Sequence, residues 1–235
     1  MTRARRRALI FAAVLIAIGA LAWAELRQAS RLPSRAEGQK PALLLLTSLP
    51  LLFGEDFSLQ QSGSPALRAL QQRYRVVPIS VTDPAGLAKG RVLLMAQPEA
   101  QPPEDLVALD NWVRGGGHLL LLADPMLEWP SKRPLGDALR PPLMFADTGL
   151  LAHWGLRLVA PDVRGPKDLT IDGYRVSTVS PGQLFGRCDI SRDRIVARCR
   201  VGRGQATIIA DADLLNVSGS SPNLDAVTAE LAALE

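Results

Sequence analysis

Apolar residues along this chain fall into short unbroken runs set between polar, glycine-rich or proline-rich stretches. The clearest example is LVALDNWVRGGGHLLLLADP, residues 106–125. After Pro102-Pro103, Leu106, Leu109 and Val113 recur at spacings of three and four, while Asp105, Asp110 and Arg114 fall elsewhere; this pattern predicts an amphipathic helix. The helix should stop at Gly115-Gly116-Gly117, where left-handed backbone carries no steric penalty. HLLLLAD, 118–124, is apolar at successive positions, as a parallel strand covered on both faces is.

The same alternation runs through the rest of the chain. PALLLLTS (41–48) and RVLLMAQP (91–98) read as buried strands, and RVVPISV (75–81) as an edge strand because Pro78 removes a ladder donor. SPALRALQQRY (64–74) reads as a helix with Ser64 as N-cap and Pro65 in its first turn. Residues 49–64 read as a loop and 126–145 as a long irregular excursion. TGLLAHWG (148–155) then suggests a short helix and LRLVA (156–160) a strand. From Tyr174 to Val201 the pattern turns to hairpins: YRVSTVS, QLFGRCDI and RIVARCRV. GQATIIADADLL (204–215) returns to a buried strand, and NLDAVTAELAALE (223–235) closes as an amphipathic helix. The expected architecture is one three-layer α/β domain, 41–235, whose mostly parallel sheet carries an antiparallel β insert at about 160–203.

The N-terminus has another character. Arg3, Arg5, Arg6 and Arg7 lie in a basic tail, 1–7, before an unbroken apolar run, 8–24. As a helix at about 1.5 Å per residue the run reaches roughly 25 Å, near the thickness of a bilayer's hydrocarbon core. The arginines would hold the N-terminus in the cytoplasm and send the rest across the inner membrane into the periplasm. Trp23 would serve as an interfacial anchor. Two readings stand: a transmembrane signal anchor that stays, favoured by the length of the run, or a signal peptide cut after Ala24, leaving a periplasmic protein. Residues 25–40 are polar and read as a linker.

This division changes the meaning of the charge. The whole chain carries +4, yet residues 1–40 hold eight basic and two acidic residues, leaving 19 basic and 21 acidic in the remainder. A mildly acidic body argues against a nucleic-acid partner. In an exported body the two cysteines can pair. If Asp193-Arg194 forms a two-residue turn, Cys188 faces Cys199 across a hairpin and Ile190 faces Ala197. A disulfide and a pair of small apolar fillers are both consistent with that spacing.

Chemistry is sparse. In open α/β sheets ligands bind beyond the carboxyl ends of the strands. That rim would gather Ser48, Gln97, Asp124, Asp211 and Asp213 as candidate ligand-binding residues. The aspartates could hold a hard cation through oxygen, or simply cap the turns that follow the strands, the commoner role. Gly115-Gly116-Gly117 is no phosphate cradle, since it follows a helix and precedes a strand. There is no GxSxG motif, and Gln97 and Pro98 stand where an elbow nucleophile would be. His118 opens a strand at the rim opposite the aspartates, and His153 sits beside Trp154. No catalytic residue, metal-ligand motif or cofactor is expected. Trp129, Leu143, Met144 and Phe145 in the excursion are candidate partner contacts, or else a lid on the core.

VALDNWVRGGGHLLLLADP resembles the signature of the gliding-motility auxiliary, GldG-like, domain family, also called the ABC-type uncharacterized transport system domain. VGRGQATIIADADLLN, 201–216, resembles its second signature, and the likeness spans roughly residues 43–216. The resemblance implies a flavodoxin-like sheet similar to class I glutamine amidotransferases without their cysteine nucleophile. It also implies a membrane-tethered domain working beside ABC transporter permease and ATPase subunits or another envelope protein. The resulting expectation is a non-enzymatic accessory protein whose domain binds a partner or a small ligand. The alternative is a metal-dependent carbohydrate-binding protein or hydrolase using the acidic rim.

Overall fold

The parallel strands form because their apolar runs have no polar face to turn to water. A computed structural model describes residues 32–54, 63–219 and 221–235. The basic tail, the apolar run 8–24 and the linker as far as residue 31 lie outside the described residues. Among the described residues no helix is long and apolar enough to cross a membrane.

The first half of the chain alternates strand and helix: β1 (Ala42–Thr47), α1 (Pro65–Gln71), β2 (Arg75–Pro78), α2 (Pro84–Leu87), β3 (Val92–Ala96), α3 (Pro103–Arg114) and β4 (His118–Leu122). After the excursion come α4 (Leu150–His153), β5 (Leu156–Val159), β6 (Pro166–Ile171), β7 (Tyr174–Val179) and β8 (Gln183–Gly186). The chain closes with β9 (Asp189–Ile190), β10 (Val196–Val201), β11 (Gly204–Ile209) and α5 (Pro222–Ala233).

The protein is a mixed α/β structure with a mostly parallel central sheet, ordered β2-β1-β3-β4-β11-β10-β9. β2, β1, β3, β4 and β11 run parallel; β10 and β9 continue antiparallel. Every residue of β3, and all of β4 after His118, is buried, so both faces of the central strands are covered. α1 packs with α5, and α2 with α3. Pro78 ends β2 at the sheet's edge, where a missing donor costs no ladder bond.

Local signals account for the helix ends. Ser64 accepts the Leu67 N–H at 3.0 Å and caps α1. α3 buries Leu109 and Val113, with Leu106 half-buried. Beyond it, Gly116 has φ of +108°, a left-handed value that favours glycine. A side chain at Gly117 would meet the Trp112 ring at 2.4 Å.

Three expectations differ from the structure. The compact body begins at Ser34, so part of the expected linker is docked. Arg35 donates its backbone N–H to the Gln72 carbonyl and pairs with Glu235 at 2.6 Å. The second difference concerns the hairpins. β7 pairs with β6, a strand too rich in exposed polar residues to show in the pattern. β8 pairs with β5, and only β9 and β10 form the expected hairpin, as part of the main sheet rather than an insert. Third, the turn of that hairpin is wider than two residues. Ser191 donates to the Val196 carbonyl, Arg194 takes a φ of +62°, and buried Ile195 accepts from Ala210 N–H. The register is unaffected: Ile190 pairs with Ala197.

Candidate functional site

The chain moves outward from β1 to β2 and then returns across β1 to β3, which makes the β1/β3 boundary the topological switch point of the sheet. A ligand crevice would open there, past Thr47 and Ala96. Among the described residues, the structure joins the rim residues through hydrogen bonds into a seam.

The seam begins at β1. Thr47 Oγ1 donates to the Ala96 carbonyl at 2.7 Å, and the Ser48 hydroxyl donates to the Gln97 carbonyl. Gln97 follows β3 with φ of +43°, the strained position at which some α/β folds present a nucleophile. Here its side chain is wholly buried. Its amide nitrogen donates to the carbonyls of Asp124 and Pro142, at 3.2 and 3.0 Å, and its amide oxygen accepts the Asp124 N–H at 2.9 Å. One side chain thus joins the ends of β3 and β4 to the excursion.

The carboxylates continue the seam. Asp124, wholly buried, accepts the Met126 N–H at 2.7 Å on one oxygen and the Ala212 N–H at 3.0 Å on the other. Asp211, also wholly buried, accepts the Thr178 hydroxyl at 2.5 Å and the Leu214 N–H at 2.8 Å. Asp213 accepts the Glu128 N–H at 2.9 Å. Burial pushes the Asp124 carboxyl up to about 6, against the backbone N–H groups of Ala212, Met126 and Asp213, which favour its charge. Burial, then the neighbouring Asp124 charge, raises Asp211 well above the usual carboxylate range. Asp213 is raised too, chiefly by burial. Asp124 and Asp211 spend both oxygens on turns and on the β7 hydroxyl, leaving little for a cation.

The other candidates separate. Leu143 and Met144 are exposed, while Trp129 and Phe145 pack against the core. His118 stands at the amino end of β4, away from the aspartates; burial and then Arg91 hold its pKa below the usual imidazole value. His153 is exposed, with Nε2 3.5 Å from Asp110, whose other oxygen accepts the Trp154 indole N–H at 2.7 Å. Cys188 and Cys199 form a disulfide, with Cα atoms 4.8 Å apart. Glu128, Thr178 and Ser180 also belong to the seam and carry no sequence signal. Glu128 and Asp213 meet across 85 positions, and no local spacing encodes such a contact.

The chain matches no family model and no curated protein. Its fold is similar to solved structures of low sequence identity. One is an exo-β-1,4-mannosidase from an Opitutaceae bacterium, at TM-score 0.51 and 16% identity over 83% of this chain and 36% of the mannosidase. Another is the mmIFT52 N-terminal domain, at TM-score 0.53 and 10% identity over 82% of this chain and 96% of that one. A third is a cytoplasmic protein from Salmonella typhimurium, at TM-score 0.51 and 12% identity over 83% of this chain and 98% of that one. The chain thus spans about a third of the mannosidase's length. These likenesses concern the fold alone.

Proposed function

We propose that this chain is a membrane-tethered, non-enzymatic accessory protein of an ABC-type transport or envelope system, its α/β body binding a partner protein or a small ligand in the periplasm. The observation that carries the reading is that, among the described residues, the polar groups of the carboxyl rim are committed to one another and to the turns beside them. Gln97 holds the strained position after β3 with a wholly buried amide already committed to Asp124 and Pro142. A catalyst needs a reactive group at that rim with room for substrate beside it. The sheet order β2-β1-β3-β4-β11 supports a flavodoxin-like, glutamine amidotransferase-like description of the body. The GldG-like signatures sit on α3–β4 and on β11, in keeping with the family resemblance. The anchor rests on the apolar run 8–24 behind its four arginines.

The metal-dependent sugar-binding reading draws no support from the fold likeness to a mannosidase, which leaves most of that enzyme unmatched. Alkaline carbonate extraction of membranes from cells expressing the full chain tests the tether: the protein should remain in the pellet, and release into the supernatant refutes it. Crosslinking in intact membranes tests the role. A permease, ATPase or envelope protein should be recovered reproducibly; a hydrolytic activity abolished by Asp124→Asn would overturn the non-enzymatic reading.

A further inference from the structure

A second region of the molecule, away from the carboxyl rim, combines a cavity with uncommitted charge. It lies at the far end of the sheet, over the β9–β10 edge. The cavity, of about 590 Å³, is lined by Trp154, Arg187, Asp189, Arg198, Arg200 and Gln205, and by the Cys188–Cys199 disulfide. Three arginines face one aspartate in this lining. A cavity of about 620 Å³ beside the β6–β7 hairpin is balanced instead, with Arg175 and Arg192 against Asp168 and Asp193.

The arginines are not equivalent. Arg198 is engaged, bridging Asp172 at 2.7 Å and the buried Glu230. Arg187 and Arg200 make no ion pair among the described residues. β9 pairs Asp189 with Arg198, and the disulfide follows in the same register. Arg187 precedes β9 in a bend, where its N–H donates to the Gly155 carbonyl, and Arg187 and Arg200 are both exposed side chains lining this one cavity. Like charges lining one cavity repel. An anion between them removes the repulsion and gains charge-assisted, forked hydrogen bonds. Gln205, paired with Arg200 on its other side, adds an amide with no hydrogen-bond partner among the described residues. The disulfide joins the two strands at 4.8 Å between Cα atoms, so the arginine pair stands on a crosslinked frame.

We propose that this cavity is an oxyanion-binding site, taking a phosphate or carboxylate group between Arg187 and Arg200 with the Gln205 amide beside them. The site is independent of the accessory role and of the rim. The test is calorimetric titration of the full-length protein in detergent, at constant ionic strength, with inorganic phosphate and separately with citrate. One or both should bind saturably at a single site, and the arm that binds more tightly identifies the group. Arg187→Gln and Arg200→Gln should each weaken that binding by about tenfold or more. Arg175→Gln, in the balanced cavity, should leave it unchanged. Folding of each variant is checked by circular dichroism and by retention of the disulfide. Absence of saturable binding in both arms overturns the proposal, as does equal weakening by all three substitutions, which would mark non-specific attraction to a cationic surface.

Discussion

Replacing Asp124 with asparagine should change the pH dependence of stability more than stability itself. The carboxyl titrates at about 6 in the folded protein and at its ordinary 3.8 when unfolded. Between those values the native state binds more protons than the unfolded state, so stability falls as pH rises through the window. Once Asp124 is fully ionised the loss amounts to about 3 kcal/mol, at roughly 1.4 kcal/mol for each tenfold change in proton affinity. Asp211 and Asp213, also raised, contribute in the same direction. Asparagine cannot ionise, but it offers one acceptor where the carboxylate serves both Met126 and Ala212. One backbone N–H then faces an amide nitrogen, at a cost of about 1–3 kcal/mol. The variant should therefore be about 1–3 kcal/mol less stable at pH 4 and level with wild type, or up to about 2 kcal/mol more stable, at pH 8. Relief at Asp211, part of whose upward push comes from Asp124, flattens its profile further. Urea unfolding followed by circular dichroism at several pH values from 4 to 8, with the disulfide intact, measures both quantities. Parallel profiles for the two proteins would show that burial does not govern the Asp124 carboxyl.

Other perturbations have separable outcomes. Gln97→Leu keeps the bulk but strands the Asp124 N–H and frees the Asp124 and Pro142 carbonyls; it should cost about 2–3 kcal/mol and speed proteolysis within residues 126–145. Equal cleavage rates in both proteins would remove Gln97 as the anchor of the excursion. Reducing the Cys188–Cys199 bond releases a crosslink of sequence separation 11, and a loss of about 3 kcal/mol is expected in unfolding experiments with and without reductant. A Cβ at Gly204 would lie 2.1 Å from the Gly117 carbonyl oxygen and 2.2 Å from that of Val113, both main chain, so Gly204→Ala should lower Tm sharply or prevent folding. A variant with native Tm would mean that α3 and β11 can separate there without penalty.

How far the sequence reaches is clearest at particular residues. The apolar runs of β1, β3, β4 and β11, the Ser64 cap, the glycine stop after α3 and the 188/199 register are all local. Each follows from propensity, periodicity or turn chemistry within about ten residues, and each could be read from the chain. The five rim residues could also be placed, because strand ends of a parallel sheet converge wherever the strands pair as neighbours. Their state could not be read. Whether Asp124 faces solvent or accepts two buried N–H groups depends on the excursion and on the turn at Ala212, which lies 88 positions away.

The sequence by itself determined the alternation of elements, the core strands and the split between a basic apolar N-terminus and a mildly acidic body. The tertiary structure alone decided strand order, the partners of β5 to β8 and the hydrogen bonds that tie the rim residues together. Backbone donors and acceptors are alike at every residue but proline, so a polar strand such as β6 shows no preference for its partner until both are in place. The same holds for Arg187 and Arg200, which are ordinary surface arginines in the sequence. They line one cavity only because the chain before β9 and strand β10 are brought together.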